Sequence, residues 1–112
     1  MALFLVTAEY IDPGSLLPPA QVAEIIGGVV IPSFEAMAKL QDQKKILAGG
    51  IVAGERAGAF IIDAASHGEL SKMLQELPFW GLVKWTTRPL QPFRERAAED
   101  LKVVERVKAM IK

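Results

Sequence analysis

The chain has 112 residues, of which 51% are hydrophobic, so it is long enough to form one domain with its own core. Its 13 acidic and 13 basic side chains cancel, which argues against an electrostatic nucleic-acid binder, and the lack of cysteine rules out disulfides. The apolar start has no basic region and is interrupted by Glu9 and Asp12, unlike a signal peptide, and no uninterrupted run reaches the roughly 18 apolar residues of a membrane span. We therefore expect a single soluble, cytoplasmic domain over residues 1–112, with neither nucleic acid nor membrane as a partner.

The first half of the chain predicts a strand followed by a long helix. Residues 2–10 are rich in strand-forming side chains and run into a turn-rich loop, which indicates a first strand. Pro18 and Pro19 suit the first turn of a helix, and beyond them apolar residues recur at helical spacing up to about Gln43. Pro32 lacks an N–H and clashes with the preceding turn, so it predicts a kink or a break in this helix.

Two glycine-containing segments, 44–54 and 57–64, then predict a hairpin of two strands. Glycines inside both strands indicate bulges, or another chain or a ligand lying close to the backbone. Glu55 and Arg56 fall at the turn and are expected to be exposed charges of the hairpin tip.

Residues Ser66 and Glu69 have the spacing of a capping box at the start of a helix. The serine oxygen can accept an N–H of the first turn, and the glutamate can reach back to the serine N–H. The helix that follows has one apolar face and ends at Pro78. A fourth strand is predicted over about 80–88, and a last amphipathic helix over about 91–111, which we expect to pack between subunits.

This order of elements predicts an α+β domain of the ferredoxin-like plan, βαββαβ, with an additional C-terminal helix. The sheet would have four antiparallel strands, and both main helices would cover the same face. The other face would be left bare and apolar, and such a face usually packs against a partner. The pattern therefore predicts a homodimer, or a higher homo-oligomer.

Within this plan, the segment AGERAGAFIIDAASHGELSKMLQELPFWGLVKWTTRPL resembles the muconolactone delta-isomerase family. The shared features are an Ala-Gly step leading into a strand that ends in Asp63, a helix that starts at Ser66, a Leu-Pro pair that closes this helix, and an aromatic residue at Trp80. The spacing of these features agrees without a gap from about Val52 to Leu90.

The resemblance implies a dimeric α+β barrel, in which two four-stranded sheets pack face to face, often within larger rings. It also implies a cofactor-free and metal-free shift of a double bond in a small unsaturated lactone, a reaction of aromatic catabolism. This chemistry needs a base and an acid, or one group serving as both. It also needs a donor or a cation that holds the developing enolate charge.

The sequence differs from the family pattern at polar positions of the fourth strand. On this strand the family alternates apolar residues with carboxylates, and the carboxylate positions are occupied here by Lys84, Thr86 and Arg88. At the turn of the preceding hairpin the family has a histidine, where this sequence has Glu55. Lys84 and Arg88 share one side of the strand and could hold a carboxylate or an enolate. The alternative is an ordinary charged strand face on which Glu9 is the partner.

Four further residues are candidates for a site. Glu9 and Tyr10 end the first strand and could serve as base and acid, or simply as turn and capping residues. His67 could act as a neutral imidazole base, or be an exposed loop histidine, and a lone histidine without cysteine predicts no metal site. Trp80 is the better pocket wall, whereas Trp85 has the opposite strand parity and is expected to anchor the core or an interface.

Three functions stay open at this point. The first is a cofactor-free isomerase of a small unsaturated lactone or cyclic acid, with Lys84 and Arg88 holding the anion, Glu9 or His67 moving the proton, and Tyr10 and Trp80 lining the pocket. The second is a non-catalytic small-molecule binder or oligomeric accessory protein on the same scaffold. The third is a cofactor-independent monooxygenase, suggested by the tryptophans.

Overall fold

The computed structural model describes residues 2–11 and 17–111, and most of the loop predicted after the first strand lies outside this part. In chain order the elements are β1 Ala2–Tyr10, α1 Pro19–Ile25, a π-helical turn Ile26–Val30, α2 Ile31–Asp42, β2 Ile46–Ile51, β3 Ala57–Ala64, α3 His67–Gln75, a 3-10 turn Trp80–Leu82, β4 Val83–Leu90 and α4 Phe93–Met110. The four strands form one antiparallel sheet in the order β2-β3-β1-β4. The predicted α+β class and ferredoxin-like order of elements are confirmed.

The long helix is not broken at Pro32, because its segments follow one another without a gap from Pro19 to Asp42. Its α-helical halves are joined by the π-helical turn, in which the N–H of Ile31 donates to the carbonyl of Ile26. Pro32 has no N–H to donate to the carbonyl of Gly28, so the regular α-helical ladder cannot continue there. A π turn directly before the proline absorbs this missing bond while the chain keeps helical dihedral angles.

The core lies between one face of the sheet and the helices. Alternation along β1 buries Phe4, Val6 and Ala8 on this face, and α3 covers it with Leu70 and Leu74. Among residues 2–11 and 17–111, the buried apolar residues are Phe4, Val6, Ala8, Ile46, Phe60, Ile62, Ala64, Leu70, Met73, Leu74, Leu77, Phe79 and Val83. Each large side chain in this set contributes about 2 kcal/mol through burial.

The fourth strand starts later than predicted. The N–H of Trp80 donates to the carbonyl of Leu77 at 2.9 Å, and the N–H of Leu82 donates to that of Phe79 at 2.9 Å, so these residues form a 3-10 turn. β4 begins only at Val83. Trp80 and Trp85 were expected on opposite faces of the strand. This expectation does not apply to Trp80, because Trp80 lies in the 3-10 turn before the strand.

The helical segment Pro19–Asp42 is long and apolar enough, by length and composition, to cross a membrane. The segment has no uninterrupted apolar run of that length, because Glu24 and Glu35 fall within it, and it was therefore not predicted from the sequence. One such helix near the start of a chain is weak evidence for a membrane protein. Its inner side faces the sheet with Val22 and Ile25, and its outer side is left bare within the chain.

The cap of α3 differs from the prediction in one bond. The Oγ of Ser66 accepts the N–H of Glu69 at 3.2 Å, as expected. The Oε2 of Glu69 accepts the N–H of Ala65 at 3.0 Å, however, instead of the N–H of Ser66. The side chain thus reaches one residue further back, and both bonds still tie the first turn of α3 to the end of β3.

We expect Ser66→Ala to lower the free energy of unfolding by about 1 kcal/mol, because it leaves the N–H of Glu69 without its acceptor. Urea denaturation of the purified protein measures this loss. Ser66→Asp keeps an acceptor at the cap and should stay close to the parent protein. Equal losses in the two variants would show that the cap bond is not the cause.

Candidate functional site

A cavity of about 430 Å³ lies between the helical segment 19–42 and the end of the sheet that carries Tyr10. Its walls come from β1, β3, the start of β4, both halves of the long helix, and the β2–β3 hairpin. The lining residues are Ala8, Tyr10, Leu17, Val22, Ile25, Ile26, Val30, Phe34, Met37, Ile51, Glu55, Arg56, Ala57, Gly58, Phe60, Phe79 and Val83. Most of them are apolar, as in typical small-molecule sites.

The π-helical turn and a buried serine shape the helical wall. Ile26 and Val30, the first and last residues of the π turn, both line the cavity. Ser33 is fully buried, and its Oγ accepts the N–H of Phe79 at 3.0 Å. Phe79 packs edge-to-face on Phe34, with ring centroids 5.9 Å apart. The serine therefore holds the loop before β4 against α2 and closes this part of the wall.

Three lining residues carry polar side-chain groups, and they cluster at the hairpin: Tyr10, Glu55 and Arg56. The N–H of Tyr10 donates to the carbonyl of Arg56 at 2.9 Å, which continues the β1–β3 ladder by one residue. The Cζ of Arg56 lies 5.5 Å from the centre of the Tyr10 ring, within the range of a cation–π contact. A phenol and a guanidinium thus contact each other at one end of an apolar cavity, and Glu55, the residue before Arg56, lines the cavity too.

Glu55 and Arg56 were expected to be exposed tip charges, and they do carry exposed surface. The expectation missed that both also line the cavity. Two signals could have placed Arg56 there. Period-2 alternation puts it on the same side as Phe60, and the antiparallel pairing of β1 with β3 puts it opposite Tyr10.

Three of the six residues singled out from sequence lie on the sheet face that bears no helix. Glu9 is the direct cross-strand neighbour of Lys84, and Arg88 follows on the same side of β4. All three are exposed within the chain. Over residues 2–11 and 17–111 the one ion pair within 4.0 Å joins Arg96 to Asp100, so Glu9 and Lys84 are neighbours without a close salt bridge.

Two others lie away from the cavity as well. The His67 ring packs edge-to-face on Phe4 with centroids 4.9 Å apart, and Phe4 is about 20 Å along β1 from Tyr10. Trp80 is 45% exposed, and its carbonyl accepts the Nε1–H of Trp85 at 3.1 Å. Of the six predicted site residues, Tyr10 therefore lines the cavity, and the other five are not among its described lining residues.

Trp85 has the core contacts that its strand parity predicts. It packs edge-to-face on Phe79, at 5.8 Å, and on Phe60, at 6.4 Å.

In the described part of the chain, no group of three or more His, Cys, Asp or Glu side chains is placed to hold a metal ion.

Solved structures provide two comparisons for this fold. A crystal structure of muconolactone isomerase superposes with a TM-score of 0.65 at 21% identity, covering 80% of this chain and 88% of that one. The 5-chloro-2-hydroxyhydroquinone dehydrochlorinase from Burkholderia phenoliruptrix AC1100, in complex with 2,5-dihydroxybenzoquinone, superposes with a TM-score of 0.53 at 21% identity, covering 83% of this chain and 97% of that one. At this identity the two structures support the fold.

The family follows from the sequence itself. No curated protein matches the sequence. The muconolactone delta-isomerase family, however, matches residues 3–96, which is most of the chain and includes every strand and the cavity. The resemblance seen over residues 52–90 is thereby confirmed and extended toward the N-terminus, and the chain belongs to the muconolactone delta-isomerase family.

Proposed function

We propose that the chain binds a small unsaturated lactone or cyclic acid in the 430 Å³ cavity and moves a proton on it without a cofactor. The observation that carries this proposal is the contact of Tyr10 with Arg56 in an otherwise apolar cavity that Glu55 also lines. A volume of this size falls within the range of small-molecule sites. The dehydrochlorinase of the same fold is described in complex with a small oxygenated ring, which supports a ligand of this size.

The three polar groups match what a double-bond shift requires. A base removes a proton from a saturated carbon that is conjugated with the lactone carbonyl, directly or through the double bond. The electrons move onto the carbonyl oxygen as an enolate, and the proton returns at a different carbon. In this proposal Glu55 is the base, and the Arg56 guanidinium holds the negative charge of the ligand or of the enolate. The Tyr10 hydroxyl is a donor for the same oxygen.

The placement of the strand-face charges gives them a different proposed role. Glu9, Lys84 and Arg88 lie on the bare face of the sheet, together with apolar residues such as Leu5 and Ile61. We propose that this face packs on a second copy of the chain, as the family resemblance implies. Catalytic roles for Glu9 and Lys84, and a ligand contact by Arg88, are the competing proposal, in which the site forms on the bare side of the sheet. A catalytic role for His67 is a separate proposal, because its ring packs on Phe4 on the side that the helices cover.

A matched pair of arginine variants separates these two proposals. We expect Arg56→Ala to weaken the binding of muconolactone, measured by calorimetric titration, by at least about tenfold, because it removes a charged partner of the anion. Arg88→Ala removes the same group from the opposite face and should leave the affinity unchanged. The reverse result would move the site to the bare face of the sheet.

Proton transfer itself is read by exchange in heavy water. If the protein is catalytic, ring protons of muconolactone exchange with deuterium in its presence, and Tyr10→Phe slows this exchange while binding persists. Binding without exchange would instead establish the alternative of a non-catalytic small-molecule binder. The monooxygenase alternative has no support from the cavity, because neither Trp80 nor Trp85 is among its described lining residues.

A further inference from the structure

Helix α4 is an amphipathic element that residues 2–11 and 17–92 of its own chain leave uncovered. It runs for 18 residues, and none of them is buried. The chain extends 70 Å in its longest direction and only 31 and 24 Å in the others, and α4 alone accounts for about 27 Å of length. A helix that buries no side chain depends on local terms only, which leave it marginal in water.

One side of α4 nevertheless carries an apolar stripe, as helices that pack against another element do. Apolar residues recur at helical spacing through Ala97, Leu101, Val104 and Ile111, and Phe93 begins the same stripe. Phe93 is 94% exposed, and Leu101, Val104 and Ile111 are exposed as well. Lys102, two positions before Val104, lies on the opposite, charged side. The family match ends at residue 96, so most of this helix lies beyond the part shared with the family.

The charges of α4 are divided between its two halves. Residues 93–101 contain two arginines and three acidic residues, and residues 102–110 contain three basic residues and Glu105. The first half is therefore net negative and the second half net positive. Two copies of the helix running in opposite directions place the negative half of one beside the positive half of the other, whereas parallel copies set like beside like.

We propose that α4 pairs with α4 of a second copy of this chain, in an antiparallel arrangement centred on Val104. With that centre, Leu101 of one copy faces Val107 of the other, and Ala97 faces Ile111. Asp100 and Lys108 come to the same level across the pair. The pairing covers the apolar stripe of both helices, and it is distinct from packing through the bare face of the sheet.

The absence of cysteine from the chain allows a direct test of this pairing in the full-length protein. Val104→Cys places a thiol at the proposed two-fold centre, where facing backbones come within disulfide distance. Mild oxidation should convert most of it into a covalent dimer on a non-reducing gel. Lys102→Cys is the matched control on the charged side and should stay largely uncrosslinked.

A second pair of variants tests the direction. In the antiparallel arrangement two copies of residue 97 are about 21 Å apart along the axis, so Ala97→Cys alone should not crosslink. A mixture of Ala97→Cys with Ile111→Cys should give the mixed dimer. Crosslinking of Ala97→Cys with itself would overturn the antiparallel arrangement, and equal crosslinking of Val104→Cys and Lys102→Cys would overturn the pairing. The readout uses no ligand, so it is independent of the proposed isomerase activity.

Discussion

Gly49→Ala is expected to lower the free energy of unfolding by about 3 kcal/mol or more, through backbone strain and overpacking together. Gly49 lies in β2 with φ of +136°, a conformation that side chains disfavour. A Cβ there would also lie within van der Waals overlap of the backbone of Ala59 and of the Cα and Cβ of Phe60. Because Phe60 is buried and lines the cavity, the strain should also disturb the ligand site.

Gly50→Ala is the matched control for this prediction. It adds the same methyl group one residue later, where nothing lies within 4 Å of the new atom and φ is not in the left-handed region. Urea unfolding curves of the two variants measure the difference. A loss in Gly49→Ala no larger than in Gly50→Ala would contradict the close packing of β2 on β3 at this position.

The second large effect is expected at Ser33, where Ser33→Ala should cost about 2 kcal/mol of unfolding free energy. The serine is fully buried in α2. Its hydroxyl donates to the carbonyl of Val29 at 2.8 Å and accepts the N–H of Phe79 at 3.0 Å. Alanine leaves this buried N–H without a partner, and it releases the loop that carries the Phe79 wall of the cavity.

The control for Ser33 is Ser71→Ala, because Ser71 is exposed and only accepts a side-chain bond from Gln75. Its loss should stay within about 0.5 kcal/mol. Ligand titration provides a second readout, since Ser33→Ala should weaken binding in the cavity and Ser71→Ala should not. Equal stability of both variants would show that the Phe79 N–H finds another acceptor.

Much of the fold was predictable because it is encoded by local patterns. Strand-forming composition defined β1 and β3, and the Ser66 cap marked the start of α3 to the residue. The late start of β4 was missed, because the 3-10 turn at Trp80 depends on bonds to the end of the preceding helix. The bond from the N–H of Ala65 to the Glu69 carboxylate was not predicted, because it depends on where the end of β3 places Ala65 relative to the helix.

The candidate site was less predictable. Alternation along β4 correctly grouped Lys84 with Arg88 and separated them from Trp85. Alternation does not indicate which side of the sheet the helices cover, however, so the sequence left open which face of the sheet lines a pocket. Within one chain the helices cover the side that carries Phe4, Val6 and Ala8, because burial of these apolar residues is favourable.

The main strands and helices, their order and the family could thus be predicted from short-range spacing. The contact of Tyr10 with Arg56 at the cavity could not, nor could the placement of Glu9, next to Tyr10 in the chain, on the opposite face. A cavity is formed by residues that are distant in sequence. Its composition is decided by strand pairing and by the face on which the long helix packs, and neither is a local property of the chain.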